Sequence, residues 1–157
     1  MATPYPPFVQ LAQPQGSTAP GCVVRDLRER LRGAGLRPTR QRLSLGWLIF
    51  GKGHRHLSAE VLYDEASRSR LQVSLATVYN TLNQFTEAGL LREIAVDGTR
   101  TYFDTNVSEH HHFFIEDEGL VIDIPASAVE VSDVPPAPEG FEIARVDVVV
   151  RLRRKAG

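Results

Sequence analysis

Five histidines fall in two places along the 157-residue chain: His54 and His56, then the run His110, His111 and His112. In an extended segment His110 and His112 point to one face and His111 to the other, because strand side chains alternate. Two imidazoles on one face, with Asp104 upstream and Asp123 downstream, make a mixed nitrogen and oxygen donor set for a divalent cation such as Zn²⁺, Mn²⁺ or Fe²⁺. His56 could close that site and thereby lock the first part of the chain to the rest. Glu109, Glu116, Asp117 and Glu118 add negative potential that attracts metal. A solvated histidine run is the plain alternative, and neutral histidine is equally an axial ligand for haem iron. The lone cysteine, Cys22, is either a ligand or a surface thiol; it excludes an intramolecular disulfide and any zinc site needing two cysteines from one chain. His-Glu-x-x-His and Gly-x-Ser-x-Gly patterns are absent, so catalysis is the less expected use and no enzyme is predicted. A metal-dependent hydrolase or a haem carrier stays open as a reading from another class.

The elements that must position these groups divide by charge. Residues 1–20 carry none; residues 21–100 hold 13 Lys/Arg against 8 Asp/Glu; residues 101–157 hold 5 against 11. A net charge of −1 therefore conceals a basic front, suited to a polyanion, and an acidic back, suited to cations. The longest apolar runs, such as Trp47–Phe50, are about four residues, too short to span a bilayer. The start, MATPYPPFVQLAQPQG, has no basic n-region, so a cytoplasmic protein without a membrane partner is expected.

Residues 1–20 read as a flexible tail. Helices are predicted from Val23 to Gly33, from Pro38-Thr39 to Phe50 with Thr39 as N-cap, and from Ser58 to about Ser67, burying Val61, Leu62 and Ala66. In the second helix Leu43, Trp47, Leu48 and Phe50 carry the periodicity. Ser74 caps a fourth helix, whose Leu75, Val78, Leu82 and Phe85 form one stripe. Its other face carries Thr77, Tyr79, Asn80, Thr81, Asn83 and Gln84, polar and uncharged. Strands at 91–96 and 99–104 joined by Asp97-Gly98 complete a winged helix-turn-helix over residues 21–105.

Residues 106–157 form a small α/β unit. Its strands are expected at His110–Ile115, Leu120–Ile124 and Phe141–Arg153, with a short helix near Ala126 to Val131 and a proline-containing linker at 133–140. In the last strand Ala144, Val146, Val148, Val150 and Leu152 share a face. So small a unit buries that face most simply against a second copy, so a homodimer is expected. The fold class is thus α+β, an N-terminal winged helix-turn-helix followed by a small α/β dimerisation domain.

In a helix-turn-helix the second helix enters the major groove of double-stranded DNA. Asn80 suits bidentate contact with adenine, and Thr77 or Tyr79 suits thymine methyls. Arg37, Arg40 and Arg42 flank a helix start that already favours an anion, and Arg100 sits in the wing. With Thr39, Ser74 and Asn83 these complete the candidate DNA contacts. An ordinary polar helix face is the competing interpretation; the hairpin and arginine cluster favour DNA.

The segments GLRPTRQR (35–42), HLSAEVLY (56–63), VSLATVYNTLNQF (73–85), EAGLLRE (87–93), DGTRTYFDTN (97–106), HHHFF (110–114) and EGFEIARVDVVVRLRRK (139–155) carry a resemblance. The chain resembles the ferric uptake regulator superfamily, and within it the iron response regulator branch. The resemblance implies a dimeric regulator of AT-rich inverted-repeat operators with an inter-domain metal site at His56, Asp104, His110, His112 and Asp123. For that branch it implies action under iron limitation on haem synthesis and iron genes, and inactivation by haem, with His110, His111, His112 and Cys22 as candidate haem ligands. The alternative is a regulator corepressed directly by Fe, Mn or Zn. Three departures stand out. Ile115 and Glu118 replace the structural-zinc Cys-x-x-Cys, Asn80 replaces an arginine, and Val23 rather than proline follows Gly21-Cys22. The superfamily's second acidic site would touch His111 and Glu130, but no matching downstream histidine is present.

Overall fold

The computed structural model describes residues 20–96 and 98–157. The expected tail and the Asp97 half of the hairpin turn lie outside the described residues, as does the side chain of Cys22. Four helices come first: α1 (Pro20–Gly33), α2 (Arg40–Phe50), α3 (Ala59–Arg68) and α4 (Leu75–Glu87). The last three start where short polar side chains accept orphan backbone N–H groups: Thr39 from Arg42, Ser58 from Val61, and Ser74 from Thr77. Gly89 (φ +75°) ends the α4 turn in a backbone region where an L side chain is strained.

The buried stripes differ in places from those expected. In α2 the buried residues are Leu45, Gly46 and Ile49, whereas Trp47 is 42% exposed. Ile49 and Leu45 face α1 and the core, and Leu43, Leu48 and Phe50 only flank them. Val61 of α3 is exposed, while Leu62 and Ala66 are buried as expected. In α4, Leu75 at the first position is exposed and Thr81, placed on the polar face, is buried. Its hydroxyl donates to the Thr77 carbonyl at 2.9 Å, so the helix itself satisfies it.

Three short strands form the first sheet: β1 (His56–Ser58), β2 (Arg92–Ile94) and β3 (Tyr102–Asp104), in the order β1-β3-β2 and antiparallel throughout. The β2–β3 pairing sets Ile94 opposite Tyr102, one residue off the register a two-residue Asp97-Gly98 loop would impose. The strands are accordingly shorter than expected and the connection longer. Strand β1 was not expected; three residues running directly into a capped helix carry no periodic signal.

The second sheet has β4 (His110–Ile115) in the centre, antiparallel to β5 (Leu120–Pro125) and parallel to β6 (Val149–Leu152). The expected strand from Phe141 is paired only over these last four residues. Residues 141–147 pair with no strand among the described residues, Val148 lends the β4 backbone only its carbonyl, to the His112 N–H, and Phe141, Ile143 and Val146 remain exposed. The helix expected near Ala126 shrinks to one 3₁₀ turn, Ala126–Ala128, before Val129 becomes extended.

Two apolar clusters organise these parts. The larger joins α1–α4 with Leu57, Leu90, Leu91 and Phe103. The smaller joins Ile94, Val96 and Tyr102 of the hairpin to Phe114 and Val121 of the second sheet. The alternation at Tyr102 and Phe103 thus packs one hairpin against both layers.

Candidate metal centre

Two His–Asp pairs are built by strand register. In the first sheet His56 lies directly opposite Asp104; in the second His112 lies directly opposite Asp123. His110, two residues before His112, shares its face. The five side chains meet between the sheets with one ligand atom each within 4.8 Å of all the others. That spread suits donors about 2.0–2.4 Å from one common centre.

Asp104 is 1% exposed, and its Oδ2 lies 2.7 Å from His110 Nε2, 3.1 Å from His112 Nε2 and 3.2 Å from His56 Nε2. Asp123 Oδ1 lies 2.7 Å from His56 Nε2 and 3.2 Å from His110 Nε2. Despite those distances, His56 Nε2 and Asp123 Oδ1 are buried without an aligned hydrogen-bond partner. They converge on a point rather than on each other, and buried polar atoms left so are costly unless something else satisfies them. His110 Nδ1 lies 2.7 Å from the Ser108 carbonyl, which can only accept, so Nδ1 carries a proton and Nε2 is oriented inward. Three imidazole nitrogens and two carboxylates then fit a divalent cation of the Zn, Fe or Mn kind.

Supporting groups were invisible in the sequence. Arg92, 6% exposed and opposite Asp104 in β2, donates to the Ser108 carbonyl at 3.0 Å and also to Asp147. Asp104 Oδ1 accepts the Asn106 N–H at 2.8 Å. Residue spacing offered no signal for Arg92, because its relevance rests on cross-strand register.

Burial opposes charge on His56, but the Asp104 and Asp123 carboxylates outweigh it and raise its pKa to about 9. Burial likewise works against ionised Asp104, yet His112 and His56 hold it well below the usual carboxylate range; Asp123 is lowered chiefly by His56 against its own burial. In the metal-free protein the raised His56 pKa contributes stability that is complete below about 6.5 and lost as pH rises through about 9. The depressed aspartates contribute above the ordinary carboxylate range and lose it as pH falls. A bound cation needs neutral His56, so Mn²⁺ affinity should rise from pH 6 to 9 and binding at pH 7 should release about one proton. Calorimetry in two buffers of different ionisation enthalpy checks this; buffer-independent heats would contradict it.

The remaining candidates are placed differently. His111 accepts the Val148 N–H at its Nδ1, 3.2 Å away, and stands outside the cluster. The three consecutive histidines therefore do not present three open imidazoles: His110 and His112 are buried against Asp104. Glu116 and Glu118, expected to favour a cation, instead pair with Arg151, Arg153 and Arg154 beyond the far end of β4. Among the candidate DNA contacts, Asn80, Asn83, Arg37, Arg40 and Arg100 are exposed. Arg42 bonds Gln84 at 3.0 Å and the Arg37 carbonyl at 2.9 Å, tying α2 to α4. Thr39, Ser74 and Thr77 serve in helix caps, and Tyr79 donates to Glu60.

Fold and site together define a winged-helix regulator with a candidate metal centre between its two sheets. Residues 33–151 match the Ferric uptake regulator family, and the chain belongs to that family, whose members are metal-responsive transcription regulators rather than enzymes. It is 35% identical over 127 residues to the ferric uptake regulation protein of Pseudomonas aeruginosa, covering 80% of this chain and 95% of that one. It is also 35% identical over 94 residues to the peroxide-responsive repressor PerR of Staphylococcus aureus, 59% of this chain and 62% of that one. The structure of the Pseudomonas aeruginosa ferric uptake regulator with manganese superimposes with a TM-score of 0.65 at 31% identity, over 83% of this chain and 98% of that one. The Vibrio cholerae ferric uptake regulator shares the fold, with a TM-score of 0.63 at 23% identity over 81% and 98% of the two chains. Among the described residues no helix is long and apolar enough to cross a membrane.

Proposed function

We propose that the chain is a dimeric DNA-binding repressor whose signal is a divalent cation held by His56, Asp104, His110, His112 and Asp123. The observation that carries this reading is that both sheets contribute to the one cluster: His56 and Asp104 from the first, His110, His112 and Asp123 from the second. A cation there supplies positive charge to one buried and one half-buried carboxylate and a bond network across the sheets. His56 precedes α3 through Ser58, and α3 packs on α4, so holding His56 orients the helix that would read DNA. The manganese-bound Pseudomonas aeruginosa relative supports Mn²⁺ as one suitable ion. The exposed Phe141, Ile143, Val146 and Val150 favour a second copy as the dimer partner.

A second reading is the iron response branch, active under iron limitation and inactivated by haem. It is favoured by Asn80 at the arginine position. Haem ligation by His110 or His112 would have to dismantle the buried cluster, leaving His111 as the more accessible of the three. Fluorescence anisotropy on an AT-rich inverted repeat at about 0.15 M salt, where long-range charge attraction is screened, separates them. Binding that requires Mn²⁺, collapses on chelation and ignores stoichiometric haem supports the metal signal. Release by haem supports the branch reading, and no binding with or without metal sinks both.

A further inference from the structure

Glu60 stands in the first turn of α3, two residues after the Ser58 cap, and Tyr79 stands in the second turn of α4. The Tyr79 hydroxyl donates to Glu60 Oε1 at 2.7 Å, a bond that crosses the two helices of the helix-turn-helix. Glu60 Oε2 is buried without a hydrogen-bond partner, and the phenol is the largest of the influences that hold this carboxylate charged, ahead of the Ser58 side chain and the Arg100 charge. The bond also shifts both groups away from proton exchange, lowering the Glu60 pKa and raising that of Tyr79. A carboxylate beside a DNA-reading helix repels phosphate, and it consumes the one donor that Tyr79 could have offered to a base or a phosphate oxygen. With that donor spent, what Tyr79 offers DNA is chiefly the uncovered part of a ring whose other part packs against the helical core. An aromatic ring placed so suits the C5-methyl group of thymine, not the polar base edges.

We propose that Glu60 is a positioning residue for sequence reading: it holds Tyr79 so that the ring senses a thymine methyl by contact rather than by hydrogen bonding. This rests on α4 being the DNA reader. The test uses the full-length protein with Mn²⁺ and a series of AT-rich inverted repeats in which each thymine is replaced in turn by deoxyuridine, which lacks only the methyl. Wild type should lose about fourfold in affinity at one symmetric thymine pair position per half-site. Glu60→Ala should bind thymine and deoxyuridine there equally, Glu60→Gln should retain the discrimination because its amide oxygen still accepts from Tyr79, and Tyr79→Ala should abolish it. Helix content and Mn²⁺ affinity of the variants, which Glu60 does not touch, report on folding. Unchanged discrimination in Glu60→Ala, or wild type indifferent to every thymine methyl, would overturn the proposal. Wild type that binds no repeat at all would instead refute DNA reading by α4.

Discussion

Replacing His112 with alanine should lower the affinity for Mn²⁺ or Zn²⁺ by at least about 100-fold, since even groups that merely orient a ligand are worth 10–100-fold. His112 is 2% exposed, sits opposite Asp123 in the β4–β5 ladder, and lies 3.1 Å from Asp104 Oδ2. Removing it withdraws one donor and one of the side-chain hydrogen-bond partners of Asp104. Arg92 keeps its bonds to Ser108 and Asp147, so the backbone that carries His110 remains braced. His54→Ala is the matched control: His54 is exposed and outside the cluster, and its loss should leave metal affinity unchanged. Titration calorimetry of the two variants, with circular dichroism to follow folding, measures the contrast. Equal affinities for both would remove His112 from the metal centre.

On the DNA side, Asn80→Ala should cost about 1–3 kcal/mol of binding to a cognate repeat and relax base preference at one position. Asn80 is exposed near the middle of α4, and its amide is uncommitted to any described helix cap, unlike Ser74 or Thr77. Arg40, at the exposed start of α2, should behave otherwise. Its replacement by alanine should weaken cognate and scrambled DNA alike and reduce the salt slope by about one. Arg42 is a poorer choice for that comparison, because its guanidinium already joins Gln84 to the Arg37 carbonyl and its loss would loosen α2 against α4. Anisotropy at two or more salt concentrations distinguishes the behaviours. An equal loss for Asn80→Ala on both DNAs would mean that it does not read bases.

Much of this protein is written in local chemistry. Thr39, Ser58 and Ser74 announce helix starts because a short side-chain oxygen can satisfy N–H groups two or three residues onward, whatever surrounds them. The alternation of a strand puts His110 and His112 on one face for the same local reason. Side-chain burial was less legible. Trp47 and Val61 lie on faces their own helices would let them bury, but no neighbouring element among the described residues covers them. The long apolar alternation from Ala144 to Leu152 implies a strand, yet pairing needs a partner edge, and the described residues supply a ladder only from Val149 onward.

The sequence by itself determined the helix starts, the winged-helix class, the family and the residue types of the candidate centre, because each depends on neighbours within a few positions or on a pattern of them. Only the tertiary structure decided that His56 joins Asp104 through an unforeseen β1 strand and that Arg92 braces Ser108. Tertiary structure also decided that the acidic turn after β4 belongs to the C-terminal arginines and that Tyr79 spends its hydroxyl on Glu60. Those contacts join residues 16 to 48 positions apart. Their partners are selected by sheet register and helix packing, which the chain acquires by burying its two apolar clusters and not by any local preference of the residues concerned.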